Sequence, residues 1–259
     1  MEHNKEVLVT IAKMDLKLKY QNSKLGFLWS FLKPLLQFCA YYTVFQVILH
    51  VNDSPDYPLR LFLGVLLWSF FVEATGNGMN AYIGKKAIVT KVRVKKELLP
   101  IAAYLTAFMN FCFTMIIFLV VYIIFAVDNT IVLASGSIIR FIMFLILYSI
   151  FIVSINTILS TVNVLFRDLQ SIWDIVLMYG VFLTPIIYPL EIPEKYLKLY
   201  YFINPLAFPI EEIKMAFFGD AGNWEKMEYF IPFLLAIIMW AVIAIFIDKK
   251  MGSKVADYL

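Results

Sequence analysis

Six stretches of the chain are apolar enough to cross a bilayer: 34–50, 60–83, 99–126, 138–165, 171–188 and 229–247. About 17–25 such residues, wound as a helix, cover a hydrocarbon core about 30 Å thick. Backbone in lipid must satisfy its own hydrogen bonds, which leaves helices or a closed barrel, and runs this long favour helices. The pattern predicts an all-α integral membrane protein whose single transmembrane domain occupies 1–259. Its parts are an interfacial segment (1–33), spans one to five (34–188), an outer segment (189–228) and span six (229–247).

Two stretches depart from the simple span pattern. In residues 5–19, Val7, Leu8, Ile11, Met14 and Leu18 fall on one helical face, with Lys5, Lys13, Asp15, Lys17 and Lys19 elsewhere. A basic amphipathic helix beside a span lies in the membrane interface. Residues 189–228 hold two short apolar runs divided by Asn204-Pro205 and Pro209. Neither can span, and proline ends a helix by removing a donor, so two short re-entrant helices are expected on the outer side.

Polar positions inside the spans repeat at three- and four-residue steps, which puts them on one helix face. Span two carries Ser69, Glu73, Asn77 and Asn80; span four carries Asn156, Ser160, Asn163 and, at its end, Arg167; the first span carries Ser30, Lys33, Gln37 and Tyr41. Ser and Asn rows commonly bond one helix to another. A charged residue at the bilayer centre costs about 2.5–3.5 kcal/mol on insertion scales. Glu73 therefore points to an aqueous path or a partner of opposite charge, whereas Lys33, close to the interface, is also able to snorkel. Aromatic Tyr41, Tyr42, Phe45, Trp68, Phe70, Phe71, Tyr179 and Phe182 lie deep in spans, while Trp29 and Trp173 suit interfacial anchoring. A wet path lined by aromatic faces suits sugars, whose ring faces stack while their hydroxyls bond.

Charge fixes the expected orientation. Sixteen Lys and Arg fall in the N-terminal segment, the loop after span two, the turn at Arg167 and the C-terminal tail, against six on the opposite side. The positive-inside rule puts both termini in the cytoplasm. Hydrophobic residues make up 62% of the chain and charged ones 16%, and the net charge of +3 does not suggest nucleic acid. Cys39 and Cys112 lie in apolar stretches and read as inert buried thiols. No removable signal peptide is expected, and the sequence shows no metal-ligand spacing, catalytic triad or Walker A loop; "GMNAYIGKKA" (78–87) has the wrong glycine spacing and follows a span. The chain is not expected to be an enzyme, and any nucleotide chemistry belongs to another polypeptide.

"LGFLWSFLKPLL" (25–36), "NVLFRDLQSIWDIV" (163–176), "LTPIIYPLEIP" (183–193) and "YFINPL" (201–206), in register with the six-span layout, resemble the membrane subunits of bacterial polysaccharide-export ABC transporters. That family comprises the permeases for O-antigen of lipopolysaccharide, capsule and wall teichoic acid. The resemblance implies a homodimer in the bacterial cytoplasmic (inner) membrane, with two copies of a separate ABC ATPase that binds ATP and Mg. The cargo would be a lipid-linked glycan polymer, and this chain would hold no cofactor of its own. Trp29, Lys33, Gln37, Tyr41, Tyr42, Ser69, Glu73, Asn77 and Asn80 would line the channel. Lys24, Lys33 and Arg167 would meet phosphates at the cytoplasmic entrance, although Arg167 equally suits an ion pair with Asp168 or Asp174. The loop after span two, near Lys85, Lys86 and Lys91, would dock on the ATPase, and Pro185, Tyr188, Asn204 and Pro205 would belong to the outer gate. A drug or lipid exporter, and an ATP-independent channel or scaffold, remain alternatives.

Overall fold

The computed structural model describes residues 2–21, 23–51, 54–86, 96–127, 137–252 and 255–258. All regular structure among them is helical. The main helices are α1 (Glu2–Tyr20), α2 (Trp29–Tyr41), α3 (Tyr57–Met79), α4 (Leu98–Val127), α5 (Ser137–Leu165), α6 (Leu169–Leu183), α7 (Glu194–Ile203), α8 (Ala207–Phe218) and α9 (Met227–Met251).

Four helices, α3, α4, α5 and α9, are long and apolar enough to cross a membrane, so the chain is a multi-pass membrane protein. They match spans two, three, four and six within four residues at each end. Spans one and five come out differently. The first starts at Trp29, five residues before its predicted boundary, and its 13 α-helical residues continue as seven residues of π-helix, Tyr42–Ile48. Thr43 sits at that junction and donates its hydroxyl back to the Cys39 carbonyl at 2.8 Å, a bond that tends to bend a helix. The fifth is a 15-residue apolar helix that stops at Leu183 and not at 188. Thr184 is extended (φ −112°, ψ 141°) because the Pro185 ring disfavours α geometry in the residue before it.

Helix α3 is the centre of the bundle. Its apolar window is 72% buried, against 22% for α9. Phe70 stacks on Phe111 of α4 at 4.7 Å between ring centroids, and the Tyr148 hydroxyl of α5 donates to the Leu67 carbonyl at 2.9 Å. Gly180 brings α6 under the Trp68 ring, where an added Cβ would sit 2.9 Å from the ring edge. Of the polar row of α5, Asn163 proves to be the helix-to-helix kind. Asn156, Ser160 and Asn163 are buried, and Asn163 Nδ2 donates to the Met79 carbonyl at the end of α3 at 3.1 Å.

The outer segment forms the two expected short helices, divided at Asn204-Pro205. Pro209 does not break α8; it occupies the first turn, where its missing N–H has no intrahelical partner to lose. Gly219 closes α8 in the left-handed conformation (φ +75°), which spares it the Cβ clash any other residue would meet. Of the expected apolar face of α1, Val7, Leu8 and Ile11 are partly buried but Met14 and Leu18 are exposed; the fully buried residue is Ala12, outside that set. Both cysteines are also exposed, contrary to the buried reading: they sit on outward faces of α2 and α4.

Candidate functional site

A cavity of about 680 Å³ opens between α2, α3, α4 and α6, with the end of α1 at its margin. Seven of the expected channel residues line it: Trp29, Lys33, Gln37 and Tyr41 from α2, and Ser69, Glu73 and Asn77 from α3. The spacing explains the convergence, because each helix turns one polar row toward the other. Gln37 is the hinge of their contact. Its Nε2 donates to the Tyr41 hydroxyl at 3.0 Å, and its Oε1 receives the Ser69 hydroxyl at 3.5 Å.

Two expected channel residues face elsewhere. Tyr42 stacks on Phe38, four residues earlier on the same helix face, at 5.7 Å between centroids. Asn80 lies past the end of α3, exposed, and donates its amide to the Gly76 carbonyl at 3.2 Å. Lys24 and Arg167 are exposed and lie outside the cavity lining. Among the described residues, Arg167 forms no ion pair with Asp168 or Asp174.

Glu73 has both anticipated features, a wet surface and a cationic partner. Lys19 Nζ, from the last turn of α1, reaches Glu73 Oε1 at 2.7 Å, and Asn110 Nδ2 of α4 donates to Oε2 at 2.6 Å. Sequence reasoning missed Lys19, Asn110, Thr114 and Asp174, all of which line the cavity. Thr106, Asn110 and Thr114 form a polar row in span three at four-residue steps, so the signal that marked α2 and α3 was present there too. Lys19 carried no such signal, because its partner is 54 residues away. The lining holds two cations, Lys19 and Lys33, and two acids, Glu73 and Asp174, among Trp29, Tyr41, Trp68, Phe70, Phe111 and Phe182. It can hydrogen-bond hydroxyls, stack apolar faces and pair with an anion.

Below the cavity, α1 is also tied to the segment after α3. Lys85 Nζ meets Asp15 Oδ2 at 2.5 Å, and the Thr106 hydroxyl donates to the Ala102 carbonyl at 2.9 Å while contacting the Ala12 carbonyl at 3.4 Å. Lys86 is exposed. Lys91 lies outside the described residues.

At the opposite end, the outer segment caps α6. Asn204 Nδ2 donates to the Leu183 carbonyl at 3.0 Å and to Thr184 Oγ1 at 3.1 Å; the Tyr200 hydroxyl also donates to the Leu183 carbonyl, at 2.8 Å. Tyr188 donates to the Phe182 carbonyl, and Pro185 and Pro205 are buried in the same joint. All four expected gate residues are thus in one place. Around α8, Arg140 Nη2 pairs with Glu212 Oε2 at 2.9 Å, Asn223 N–H donates to Glu212 Oε1 at 2.7 Å, and Arg60 bridges Asp56 and Asp220 at 2.5 Å each. Burial pushes the Glu212 carboxyl up to about 7, against the opposing pull of Arg140, and lowers the Lys214 ammonium to about 8, against the pull of Glu211.

Residues 6–218 match the family described as ABC-2 type transporter. Similar proteins include an "O-antigen export system permease protein RfbA" of Myxococcus xanthus, 28% identical over 246 residues that cover 94% of this chain and 92% of that protein. Two proteins of the same description from Klebsiella pneumoniae are 28% and 29% identical. They cover 98% and 92% of this chain and 95% and 90% of their own lengths.

Proposed function

The chain belongs to the ABC-2 type transporter family, and we propose that it is the membrane permease of an O-antigen-type export system, moving a lipid-linked polysaccharide across the cytoplasmic membrane. The observation that carries this reading is the cavity in which polar rows from α2 and α3 meet among aromatic rings. The full-length likeness to proteins described as O-antigen export permeases supports it. Rings of Trp29 and Tyr41 stack sugar faces, Gln37, Ser69, Asn77 and Asn110 bond hydroxyls, and Lys33 meets the phosphates that join glycan to lipid.

The working unit is a homodimer with two copies of an ABC ATPase. Of α2 only Ser30 and Pro34 are buried, and of α6 only Val181, among the described residues. Apolar side chains such as Leu36, Val47, Ile175, Met178 and Phe182 stand uncovered on these two cavity-wall helices and the π extension of the first. A sister copy placed against them would close the open side of the path. α2 with its π extension and α6 with the turn after it are the first and fifth spans, and α7 and α8 form the outer gate. Both termini lie in the cytoplasm, where the segment after α3, with Lys85, Lys86 and Lys91, docks on the ATPase. ATP-driven closure of that partner spreads the helices.

The first test is co-purification of the chain with an ATPase carrying a Walker A loop, encoded in the same operon. The second is Lys24→Glu with Lys33→Glu, assayed by surface polymer. Lost export with retained ATPase assembly supports the reading. Unchanged export removes these lysines from the path, and a chain that works without an ATPase overturns the exporter assignment in favour of a channel or scaffold.

A further inference from the structure

The Lys19–Glu73 ion pair joins two elements of different kinds: one partner sits on the central helix α3, the other on the last turn of the interfacial helix α1. The two side chains differ in burial. Lys19 is 34% exposed and Glu73 18%, and both line the cavity that Lys33 also enters from α2. Glu73 keeps a second donor, Asn110 Nδ2, that does not depend on Lys19. The acid therefore stays solvated by protein when the lysine leaves, while the flexible four-carbon lysine stem can swing its charge through the cavity mouth.

Resting on the reading above, we propose that Lys19 is a phosphoanion-binding residue held in reserve: Glu73 holds it until a phosphate or diphosphate group enters beside Lys33, and the two lysines then share that anion. A phosphate offers more acceptor oxygens and more charge than one carboxylate, so it competes well for a half-exposed ammonium. Asp174, on the α6 wall, repels the anion and confines it to the side where α1 and α2 meet. When the anion moves on, Glu73 recovers Lys19 and the site resets. Because α1 is also tied to Lys85 through Asp15, one turn from Lys19 on the same face, release of Lys19 loosens the helix that reaches the segment after α3.

The exchange makes a prediction about sign that a purely structural ion pair does not. Glu73→Gln removes the competitor yet keeps an amide oxygen for Asn110, so it should bind a phosphoanion about twofold to fivefold tighter, the range an exposed ion pair supports. Lys19→Gln should bind it several-fold more weakly, and Lys19→Arg should restore wild-type binding. The chain with its ATPase, in neutral-lipid nanodiscs, is titrated with a short isoprenyl diphosphate, with inorganic pyrophosphate, and with phosphatidylglycerol. The diphosphate lipid identifies a substrate headgroup, pyrophosphate a free anion, and phosphatidylglycerol an ordinary membrane lipid as the source. Opposite signs for the Glu73 and Lys19 variants support the exchange. Weaker or unchanged binding in both, with the wild type binding normally, overturns it while leaving the exporter reading intact. A wild type that binds none of the three overturns the exchange and the phosphate role of the cavity together.

Discussion

Gly78, near the end of α3, is where the cavity's back wall is held against α5, and substituting it should break that hold in a way a second substitution repairs. A Cβ built on Gly78 would lie 2.6 Å from Asn156 Oδ1 and 2.8 Å from Nδ2, closer than such contacts normally occur. Asn156 is fully buried, and among the described residues neither amide atom finds a hydrogen-bond partner. Helix α3 is buried on several sides here, so it has little room to retreat. Overpacking of this kind costs about 1–3 kcal/mol. For a chain of this size that is roughly 3–9 °C of melting temperature, at about 3 °C per kcal/mol. Asn156→Ala removes the clash partner together with an unpaired amide whose burial costs about 1–3 kcal/mol, set against a small void of similar cost. On its own it should change stability little. In the double variant the alanine at 78 fills part of the space vacated and gains up to about 1 kcal/mol of helix propensity, so Gly78→Ala/Asn156→Ala should melt at or above the wild type. The measurement is thermal loss of the monodisperse peak in detergent for all four proteins, read as a double-mutant cycle. A coupling of about 1–3 kcal/mol is expected. A Gly78→Ala protein as stable as wild type, or no rescue by Asn156→Ala, would refute the argument.

Arg140→Met strips the cation from Glu212, whose side chain is 1% exposed; because that carboxyl already protonates near 7, the loss should grow as pH rises above 7, by at most about 1.4 kcal/mol per pH unit, and adding Glu212→Leu should remove that pH dependence in the same melting assay. Glu212 also carries a pH signature. Its folded value, about 7, lies above the ordinary 4.5, so its contribution to stability is full below about pH 4.5 and is lost as pH rises through 7. Wild type should therefore lose up to about 3 kcal/mol relative to Glu212→Gln between pH 5 and 8, because each pH unit separating the ordinary from the folded value is worth about 1.4 kcal/mol. Burial raises Glu211 as well, and the two carboxyls repel each other, so the comparison reads the pair and not Glu212 alone. A wild type that instead gains stability over this window would show the Arg140 attraction outweighing burial. Tyr148→Phe removes a buried hydroxyl bonded to the Leu67 carbonyl and should cost about 1 kcal/mol, with polymer export unchanged at permissive temperature.

Helix existence was legible from hydrophobic run length, and helix ends were legible only where local chemistry fixed them. The ends of α4 and α5 came from the runs themselves. The end of α6 needed Thr184-Pro185 to be read as a stop, since apolar Ile186 and Ile187 continue the hydropathy after the helix has ended. Pro209 shows the reverse error: a proline in a first turn starts a helix as readily as one further in breaks it. The π segment after Tyr41 left no mark on periodicity, whereas Tyr42 was legible as off the row: one residue past Tyr41 and four past Phe38, it shares the Phe38 face.

The candidate site was legible in the same partial way, for a physical reason. Periodicity reports which residues of one helix share a face, so it placed the α2 row and Ser69, Glu73 and Asn77 of the α3 row on the cavity, but not Asn80, which falls past the helix end. It is silent on which element faces that wall. Glu73 announced the need for a counter-charge, yet the sequence offered no means of choosing Lys19 over Lys33, because that choice depends on how α1 crosses the foot of α3 and α4. The outer cluster illustrates the point again. Arg60, Arg140, Glu212 and Asp220 come from three separate stretches and read individually as ordinary end-of-helix charges. Their convergence gives the two ends of the molecule different characters. Around α8, the Arg140–Glu212 pair, 12% and 1% exposed, fastens that helix to α5, while Arg60 and Asp220, 24% and 45% exposed, tie its end to α3. At the cavity, Lys19 and Glu73, 34% and 18% exposed, fasten α1 to α3. The contrast between Glu212, 1% exposed, and Glu73, 18% exposed, resides in burial, which no single stretch of sequence encodes.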